Sequence, residues 1–200
     1  MAYFPLYIEL ENKKCIVVGG GKVAAGKVRQ LLSFGGNVTV IAPELAGELA
    51  QLAAEGQIVW KQGVFPMEEV KEEDFADCAL VVAATDQKDV NARVSKLCRI
   101  HGIPVNVVDV KELCTFFFPA IIKRQDVVVA VSTSGKSPAL AARLRRELET
   151  EIPESYGMAA DILGACREEV LERVPDIRER KRLFEALLTQ LLGEENAEDR

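Results

Sequence analysis

The chain has 200 residues, of which 48% are hydrophobic and 28% charged, as expected of a folded globular protein with one large domain or a domain and a smaller appendage. Its 25 basic and 31 acidic side chains give a net charge of −6, which argues against nucleic acid as the main partner because phosphate binding needs a basic face. The sequence contains neither a run of about 18 apolar residues nor a basic leader before Tyr3, so we expect no membrane span, no signal peptide and a cytoplasmic location.

The first half of the chain alternates short apolar runs with stretches of helical periodicity. The apolar runs indicate buried parallel strands, and the stretches between them place apolar residues on one helical face. This alternation predicts an α/β fold, a Rossmann-like parallel sheet with helices on both faces. The predicted strands are 14–18, 37–41, 57–60, 78–84 and 104–108, and the predicted helices are 22–34, 44–55, 67–75 and 86–101.

The pattern changes after about residue 112. The aromatic residues 116–118 indicate either core or a dimer interface, and 126–132 is a strong β run. Ser137 and Pro138 favour a helix start, since Ser caps helix N-termini and Pro suits the first helical position. Two further helical stretches lie within 152–192, with a break near Pro175.

A glycine-rich loop separates the first strand from the first helix. Gly19 allows a tight turn, Gly21 lets the backbone approach phosphates, and Ala24 is small enough for close packing of the helix on the strand. The helix N-terminus adds free N–H groups and the positive end of its dipole. This context predicts a dinucleotide site, the alternative being a glycine-rich turn without a ligand. The predicted loop residues are Gly19, Gly20, Gly21, Lys22, Val23 and Ala24.

The acidic residue that usually binds the adenosine ribose is absent from the end of the second strand. Ala42 and Pro43 stand there, and Glu44 follows. Glu44 either binds the ribose or is an acid in the first turn of the next helix. No arginine is present there for a 2′-phosphate, which favours NAD over NADP.

Two other predicted strands end in polar residues. Ala84, Thr85 and Asp86 end one strand, where Asp86 either faces the ligand crevice or caps the following helix. Asp109 ends another strand with no helix directly after it. Its carboxylate is either a proton donor and acceptor or a solvated loop acid.

The remaining polar positions have simpler interpretations. His101, the single histidine, ends a predicted helix, where a cation complements the dipole. The five cysteines are widely spaced, so we expect no disulfide, and no residue cluster has the spacing of a metal site. Cys15, Cys78 and Cys98 lie in apolar stretches and are expected to be buried. The loop 132–136 is either an anion site or helix capping with a solvated face.

Several motifs together resemble one family, precorrin-2 dehydrogenase, which is the dehydrogenase and sirohydrochlorin ferrochelatase module of sirohaem synthase. Each motif is weak alone, but their order and spacing match across about residues 3–190. The motifs are Pro5-Leu6-Tyr7-Ile8, Val17-Val18-Gly19-Gly20-Gly21-Lys22-Val23-Ala24, Ala83-Ala84-Thr85-Asp86, Val90-Asn91, Asn106-Val107-Val108-Asp109, Phe118-Pro119-Ala120 and Ser132-Thr133-Ser134-Gly135-Lys136-Ser137-Pro138.

The resemblance implies NAD-dependent oxidation of precorrin-2 to sirohydrochlorin and, in bifunctional members, insertion of Fe²⁺ as a substrate. It also implies a homodimer with an NAD-binding Rossmann domain (1–112), a smaller α+β dimerisation region (113–150) and a C-terminal helical region (151–200). The methyltransferase domain of sirohaem synthase is expected to reside on another chain.

The resemblance also implies roles for individual residues. Asp109 matches an aspartate implicated in both activities, and its presence favours a bifunctional enzyme because some dehydrogenase-only relatives lack it. Thr133 matches a serine that is phosphorylated in one branch, so modification is left open. Because precorrin-2 is a polycarboxylate, Arg143 and Arg145 are further candidates for its binding. The candidate substrate-binding residues are Asn91, Asn106, Ser132, Thr133, Ser134 and Lys136.

Three other functions remain open on the sequence. A dehydrogenase of another substrate would share the glycine loop but not need the loop 132–138. A non-enzymatic NAD-binding regulator would tolerate replacement of Asp109. A chelatase without NAD would not bind the dinucleotide at all.

Overall fold

A computed structural model of the chain describes residues 3–66 and 71–193. Contacts between Cα atoms divide the chain into two compact units, Met1–Phe118 and Pro119–Arg200. The first unit is a five-stranded parallel sheet with helices, and the second combines a two-stranded sheet with helices. The predicted α/β fold class is confirmed.

The sheet of the first unit runs in the order β3-β2-β1-β4-β5. From β1 the chain moves outward to β3, and it then returns to the other side of β1 for β4 and β5. The direction therefore reverses between β1 and β4, which is where an open α/β sheet forms its ligand crevice at the carboxyl ends of the strands. The strands are β1 (Lys14–Val18), β2 (Asn37–Ala42), β3 (Val59–Gln62), β4 (Leu80–Ala83) and β5 (Val105–Val107).

The described residues of this unit also form three α-helices, α1 (Lys22–Leu32), α2 (Glu48–Ala54) and α3 (Lys88–Ile100), and two short 3₁₀ helices (Glu72–Phe75 and Lys111–Leu113). The central strand β1 alternates between two hydrophobic clusters. Ile16 packs in the cluster that contains Val94 of α3, and Val17 packs in the cluster that contains Val28 of α1. Burial on both faces explains why β1 is a continuous apolar run.

Two predicted helices differ from the observed ones. The helix predicted over 44–55 begins only at Glu48, because Gly47 has a φ of +41° and residues 43–46 form an irregular segment before it. In the helix predicted over 67–75, residues 67–70 lie outside the described part of the chain, and Glu72–Phe75 is a 3₁₀ helix. The third strand is also displaced, to Val59–Gln62 from the predicted 57–60.

The second unit contains a strand that the sequence analysis missed. Strand β6 (Ala120–Arg124) pairs antiparallel with β7 (Val127–Val131), so the predicted β run is one half of a hairpin. The two turn residues are Gln125, at a φ of +52°, and Asp126. Because the turn carries neither glycine nor asparagine, the usual sequence signal of a two-residue hairpin is absent.

Three helices follow: α4 (Pro138–Glu151), α5 (Ser155–Arg173) and α6 (Ile177–Leu192). The predicted start of α4 is confirmed, since Ser137 Oγ accepts a hydrogen bond of 3.2 Å from the Leu140 N–H and Pro138 is the first helical residue. The predicted break near Pro175 is also confirmed, and Asp176 caps α6. Residues 194–200 of the predicted C-terminal region lie outside the described residues.

All five cysteines are free thiols. Cys15 and Cys98 are fully buried, as predicted, whereas Cys78 is only half-buried. Burial raises the pKa of Cys15 and Cys78 to about 11 and that of Cys98 to about 12. These thiols are therefore uncharged at neutral pH.

The buried position of Ile16 in the central strand yields a stability prediction. Ile16→Ala removes a side chain that is 0% exposed, so the free energy of unfolding should fall by about 2–5 kcal/mol. Ile100→Ala is the matched control, because Ile100 is 68% exposed and its loss should change stability by less than about 0.5 kcal/mol. Urea unfolding followed by circular dichroism measures both, and equal effects would contradict the assigned core.

Candidate functional site

The glycine loop brings the end of β1 against the end of β4. Gly19 has a φ of +127°, and a Cβ on it would lie 2.5 Å from the Ala84 carbonyl oxygen. The Ala84 N–H donates to the Val18 carbonyl at 2.8 Å. Both the left-handed conformation and the close approach require glycine at position 19.

Gly20 is enclosed by the segment that follows β2. A Cβ on Gly20 would overlap the Glu44 carbonyl oxygen and lie 2.9 Å from the Ala42 Cβ. The Ala46 N–H donates to the Gly20 carbonyl at 2.9 Å. The β2–α2 segment is thereby fixed directly beside the loop.

Gly21 is different, because no atom lies within 4 Å of the position of a Cβ there. It is the N-cap residue of α1 and no side chain caps the helix, so the N–H groups of the first turn lack intrahelical partners. Lys22 and Val23 are exposed, and Ala24 is buried in the core as predicted for close packing. An exposed, uncapped helix N-terminus behind a glycine fits a pyrophosphate.

The β2–α2 segment decides between the two interpretations of Glu44. Pro43 and Glu44 are exposed and precede α2, so Glu44 is not a helix residue and its first-turn interpretation is wrong. Glu48 is the acid of that turn, and it forms an ion pair of 2.9 Å with Arg29. The Pro43 carbonyl accepts a hydrogen bond of 3.1 Å from Gln62 Nε2.

Asn91 holds the loop after β4. Its Oδ1 accepts from the Thr85 hydroxyl at 2.7 Å and from the Thr85 N–H at 3.3 Å, and its Nδ2 donates to the Thr85 carbonyl at 2.9 Å. Asn91 is only 5% exposed. The N-cap of α3 is Gln87, so the capping interpretation of Asp86 is wrong and its carboxylate is exposed.

Asn106 also makes internal contacts. It is 7% exposed, and its Nδ2 donates to the Phe116 carbonyl at 3.0 Å. Phe116 and Phe118 pack against the core cluster of α1, which favours the core interpretation of these aromatic residues. Substrate contact by Asn91 and Asn106 remains a prediction, and the hydrogen bonds indicate that both residues position backbone.

Asp109 lies at the same edge of the sheet as the glycine loop. The Val108 N–H donates to the Ala83 carbonyl at 3.0 Å, and the Val110 N–H donates to the Val107 carbonyl at 3.3 Å. Asp109 sits in the turn between them at a φ of +61°, with its side chain exposed. The turn thus presents a carboxylate beyond the carboxyl end of β5.

Lys27 is a basic residue of this unit that the sequence analysis did not single out. Its Nζ lies 4.0 Å from the centre of the Phe118 ring, and burial lowers the pKa of Lys27. No sequence signal marks it, because the contact depends on a residue far along the chain.

The Ser132–Lys136 loop lies in the second unit, between β7 and α4. Thr133 Oγ1 accepts from the Ser137 N–H at 3.1 Å, and the Ser134 N–H donates to Ser132 Oγ at 3.1 Å. Lys136 is exposed. The hydroxyl of Thr133 therefore organises the helix start, and anion binding by the loop remains a prediction.

The arginines of α4 already have acidic partners. Arg143 and Arg145 each form an ion pair of 2.7 Å with a glutamate one turn later, Glu147 and Glu149 respectively. Because of these pairs, both arginines are weaker candidates for binding the substrate carboxylates than the sequence suggests. Within residues 3–66 and 71–193, no three His, Cys, Asp or Glu side chains lie close enough to hold a metal ion, and no helix there is long and apolar enough to cross a bilayer.

Three family models match the chain. A model described as NAD(P)-binding matches residues 6–120, one described as sirohaem biosynthesis protein central matches 126–151, and one described as sirohaem synthase dimerisation region matches 155–199. The chain belongs to the sirohaem biosynthesis family that these models describe. The third description attaches dimerisation to 155–199 rather than to 113–150, and our domain boundaries remain predictions.

Individual relatives agree with this assignment. The chain is 45% identical over 188 residues to a siroheme synthase of Methylococcus capsulatus, covering 94% of this chain and 39% of the relative. It is 37% identical over 194 residues to a siroheme synthase of Ruthia magnifica, covering 97% of this chain and 40% of the relative. The chain thus spans about two-fifths of the length of these curated relatives.

A solved structure resembles most of the chain. The structure titled SirC, precorrin-2 dehydrogenase, has 26% sequence identity and a TM-score of 0.73, with 95% of this chain and 92% of that chain covered. The likeness therefore extends over both units of the chain.

Gly20 and Gly21 make distinct predictions for dinucleotide binding. Gly21→Ala places a methyl group in open space beside the uncapped helix, where it obstructs the pyrophosphate. We expect NAD affinity to fall at least tenfold, about 1.4 kcal/mol, with unchanged stability. Gly20→Ala should lower both the NAD affinity and the stability, because its Cβ overlaps the Glu44 backbone.

Gly26→Ala is the matched control, since Gly26 lies within α1 and a Cβ there meets nothing within 4 Å. It should leave NAD affinity unchanged and stabilise the helix by about 0.5–1 kcal/mol. Calorimetric titration with NAD⁺ and thermal unfolding measure the set. Equal affinities of the Gly21 variant and the wild type would remove the loop from the binding site.

Proposed function

We propose that this chain oxidises precorrin-2 to sirohydrochlorin with NAD⁺ in sirohaem biosynthesis. The observation that carries the proposal is the placement of Asp109 at the sheet edge that also holds the glycine loop. The structural likeness to the protein titled SirC, precorrin-2 dehydrogenase, covers 92% of that chain and supports the same class of reaction. The siroheme synthase relatives support the pathway.

The residues around the glycine loop fit NAD. Gly19, Gly20 and Gly21 with the N–H groups of Lys22, Val23 and Ala24 would hold the pyrophosphate, since the helix start is exposed and uncapped. Pro43 and Glu44 are exposed directly beside Gly20, where Glu44 would bind the ribose and its negative charge would disfavour a 2′-phosphate. Ala84, Thr85 and Asp86 would line the crevice on the β4 side. When bound, NAD supplies the hydride acceptor.

Asp109 would accept the proton that the substrate loses. A carboxylate in this exposed position can act as a general base. Its turn is anchored to β4 through the Val108 N–H, which keeps the backbone of the turn at the edge of the sheet. Asn91 would act by holding Thr85 rather than by touching the substrate.

The substrate carries several carboxylates, which need donors and positive charge. We assign part of this role to Ser132, Thr133, Ser134 and Lys136, because the exposed Lys136 and the serine hydroxyls stand at the start of α4. Phosphorylation of Thr133 stays a prediction. Its hydroxyl already forms hydrogen bonds with the backbone of Ser137.

A homodimer is the second part of the proposal. The match to a sirohaem synthase dimerisation region supports it. So does the sparse core of the second unit, where within residues 119–193 only Ile122, Gly157 and Ala159 are buried. Apolar side chains such as Met158 and Ile162 are exposed there, at 54% and 47%, and a second copy would cover them. The free cysteines fit a reducing cytoplasm.

Insertion of Fe²⁺ into sirohydrochlorin is the second candidate activity. The observation that favours it is the exposed carboxylate of Asp109, because metal insertion requires a group that accepts the pyrrole protons. Fe²⁺ is a substrate in this reaction and needs no resident metal site.

Asp109→Asn tests the catalytic assignment. It keeps a residue that tolerates a positive φ but removes the base, so precorrin-2 oxidation should slow by about 10²–10⁴-fold while NAD affinity is unchanged. The matched control is Asp126→Asn, an exposed acid in the β6–β7 turn, which should keep full activity.

The assay is anaerobic, with enzymatically made precorrin-2 and NAD⁺, and is followed by absorbance before and after addition of Fe²⁺. No spectral change with the wild type would refute the dehydrogenase. A reaction that stops at sirohydrochlorin after metal addition would refute the chelatase alone.

A further inference from the structure

One sulfur atom contacts both ends of the turn that carries Asp109. Cys114 Sγ accepts a hydrogen bond of 3.2 Å from the Val107 N–H, and it lies 3.2 Å from the Val107 carbonyl oxygen and 3.3 Å from the Val110 carbonyl oxygen, either of which can accept its proton. Val107 and Val110 are the two ends of the turn. The sulfur therefore contacts the backbone on both sides of Asp109.

The same sulfur also bonds backbone groups at the open edge of strand β5. Strand β5 pairs with β4 on one side only, so the backbone groups of Val105 and Val107 face away from the sheet. Val105 exchanges hydrogen bonds with Thr115, whose Oγ1 accepts from the Val105 N–H at 2.8 Å and whose N–H donates to the Val105 carbonyl at 2.8 Å. Cys114 Sγ makes the equivalent pair of contacts with the N–H and the carbonyl of Val107.

Helix α3 fixes the segment that carries the sulfur. Ser95 Oγ donates to the Leu113 carbonyl at 2.6 Å, and Arg99 donates to the carbonyls of Glu112 and Cys114 at 3.0 and 3.2 Å. Ser95 is 1% exposed. A rigid helix thus holds Cys114, and Cys114 holds the turn.

The backbone of the turn has a specific conformation. Asp109 has a φ of +61°, a left-handed conformation that aspartate adopts at less cost than most other residues except glycine, and the contacts at Val107 and Val110 hold the residues on either side of it. Burial raises the pKa of the Cys114 thiol, so the group is an S–H donor at neutral pH and keeps both kinds of hydrogen bond.

We propose that Cys114 is a positioning residue for Asp109, holding the carboxylate in the orientation that the oxidation of precorrin-2 requires. The inference rests on the proposed function. Cys114 does not touch the substrate in this scheme, and its effect reaches the reaction through the geometry of the Val107–Val110 turn.

The kinetic test is a double-mutant cycle in the full-length protein. Cys114→Ala should lower kcat for precorrin-2 about tenfold, because a displaced catalytic group loses its alignment, and leave KM for NAD⁺ unchanged. In an Asp109→Asn background the same change should have no further effect. Cys114→Ser should recover part of the loss, since a hydroxyl donates and accepts but makes shorter bonds. Cys166→Ala is the control, a half-buried thiol in the second unit that should keep wild-type kinetics.

Hydrogen exchange supplies a readout that is independent of the reaction. In Cys114→Ala the amides of Val107 and Val110 should exchange at least tenfold faster, while those of Val17 and Val18 in β1 keep their rates. Unchanged exchange at Val110, faster exchange throughout the sheet, or an equal loss of kcat in the Asp109→Asn background would each overturn the inference.

The two proposals fail in different ways. A wild-type protein that does not oxidise precorrin-2 refutes the proposed function, and the exchange rates at Val107 and Val110 then decide alone whether the sulfur holds the turn. A wild-type protein that is active, with a Cys114→Ala variant of equal kcat, refutes the role of Cys114 and leaves the dehydrogenase assignment intact.

Discussion

The close approach of β1 and β4 at Gly19 is the constraint on which the candidate site depends. The Gly19 backbone lies so near the Ala84 carbonyl that a Cβ would come within 2.5 Å of it. This contact places the glycine loop and the Thr85 loop side by side at the point where the order of the strands reverses. A larger residue at position 19 would separate the two strand ends and with them both sides of the crevice.

Polar residues near the crevice divide into those that face it and those that build it. Gly21, Glu44, Asp86 and Asp109 are exposed at the carboxyl edge. Asn91, Asn106, Ser95 and Cys114 lie behind them and use their hydrogen bonds on backbone groups. Buried polar groups are costly unless paired, and the buried side chains of Asn91, Asn106 and Ser95 each bond a backbone carbonyl. These pairings connect the loops at the carboxyl edge to the elements behind them.

The two units differ in how much core they contain. The first has hydrophobic clusters on both faces of its sheet, whereas the described residues of the second bury very few side chains. The second unit instead uses capping, as at Ser137 and Asp176, and ion pairs along α4. Ion pairs on exposed helix surfaces contribute little to stability. A unit of this kind gains most from burying its apolar residues against another chain.

The sequence was enough to predict the α/β class, the glycine loop and the helix break near Pro175, because periodicity and turn residues are local properties. It also singled out Asp109 as a strand-end carboxylate. It left Glu44 and Asp86 ambiguous, since either could have belonged to a helix, and the observed helix starts at Glu48 and Lys88 removed that ambiguity.

The other features required the folded structure, because the contacts that define them join distant parts of the chain. The open space at Gly21 and the crowding at Gly20 depend on where residues 42–46 fold. The β6–β7 hairpin has a turn without a sequence signal, so its pairing became visible only in three dimensions. The role of Cys114 could not be read from a lone cysteine. It follows from a sulfur that meets the backbone of Val107 and Val110 across an edge strand, and local sequence patterns do not encode that geometry.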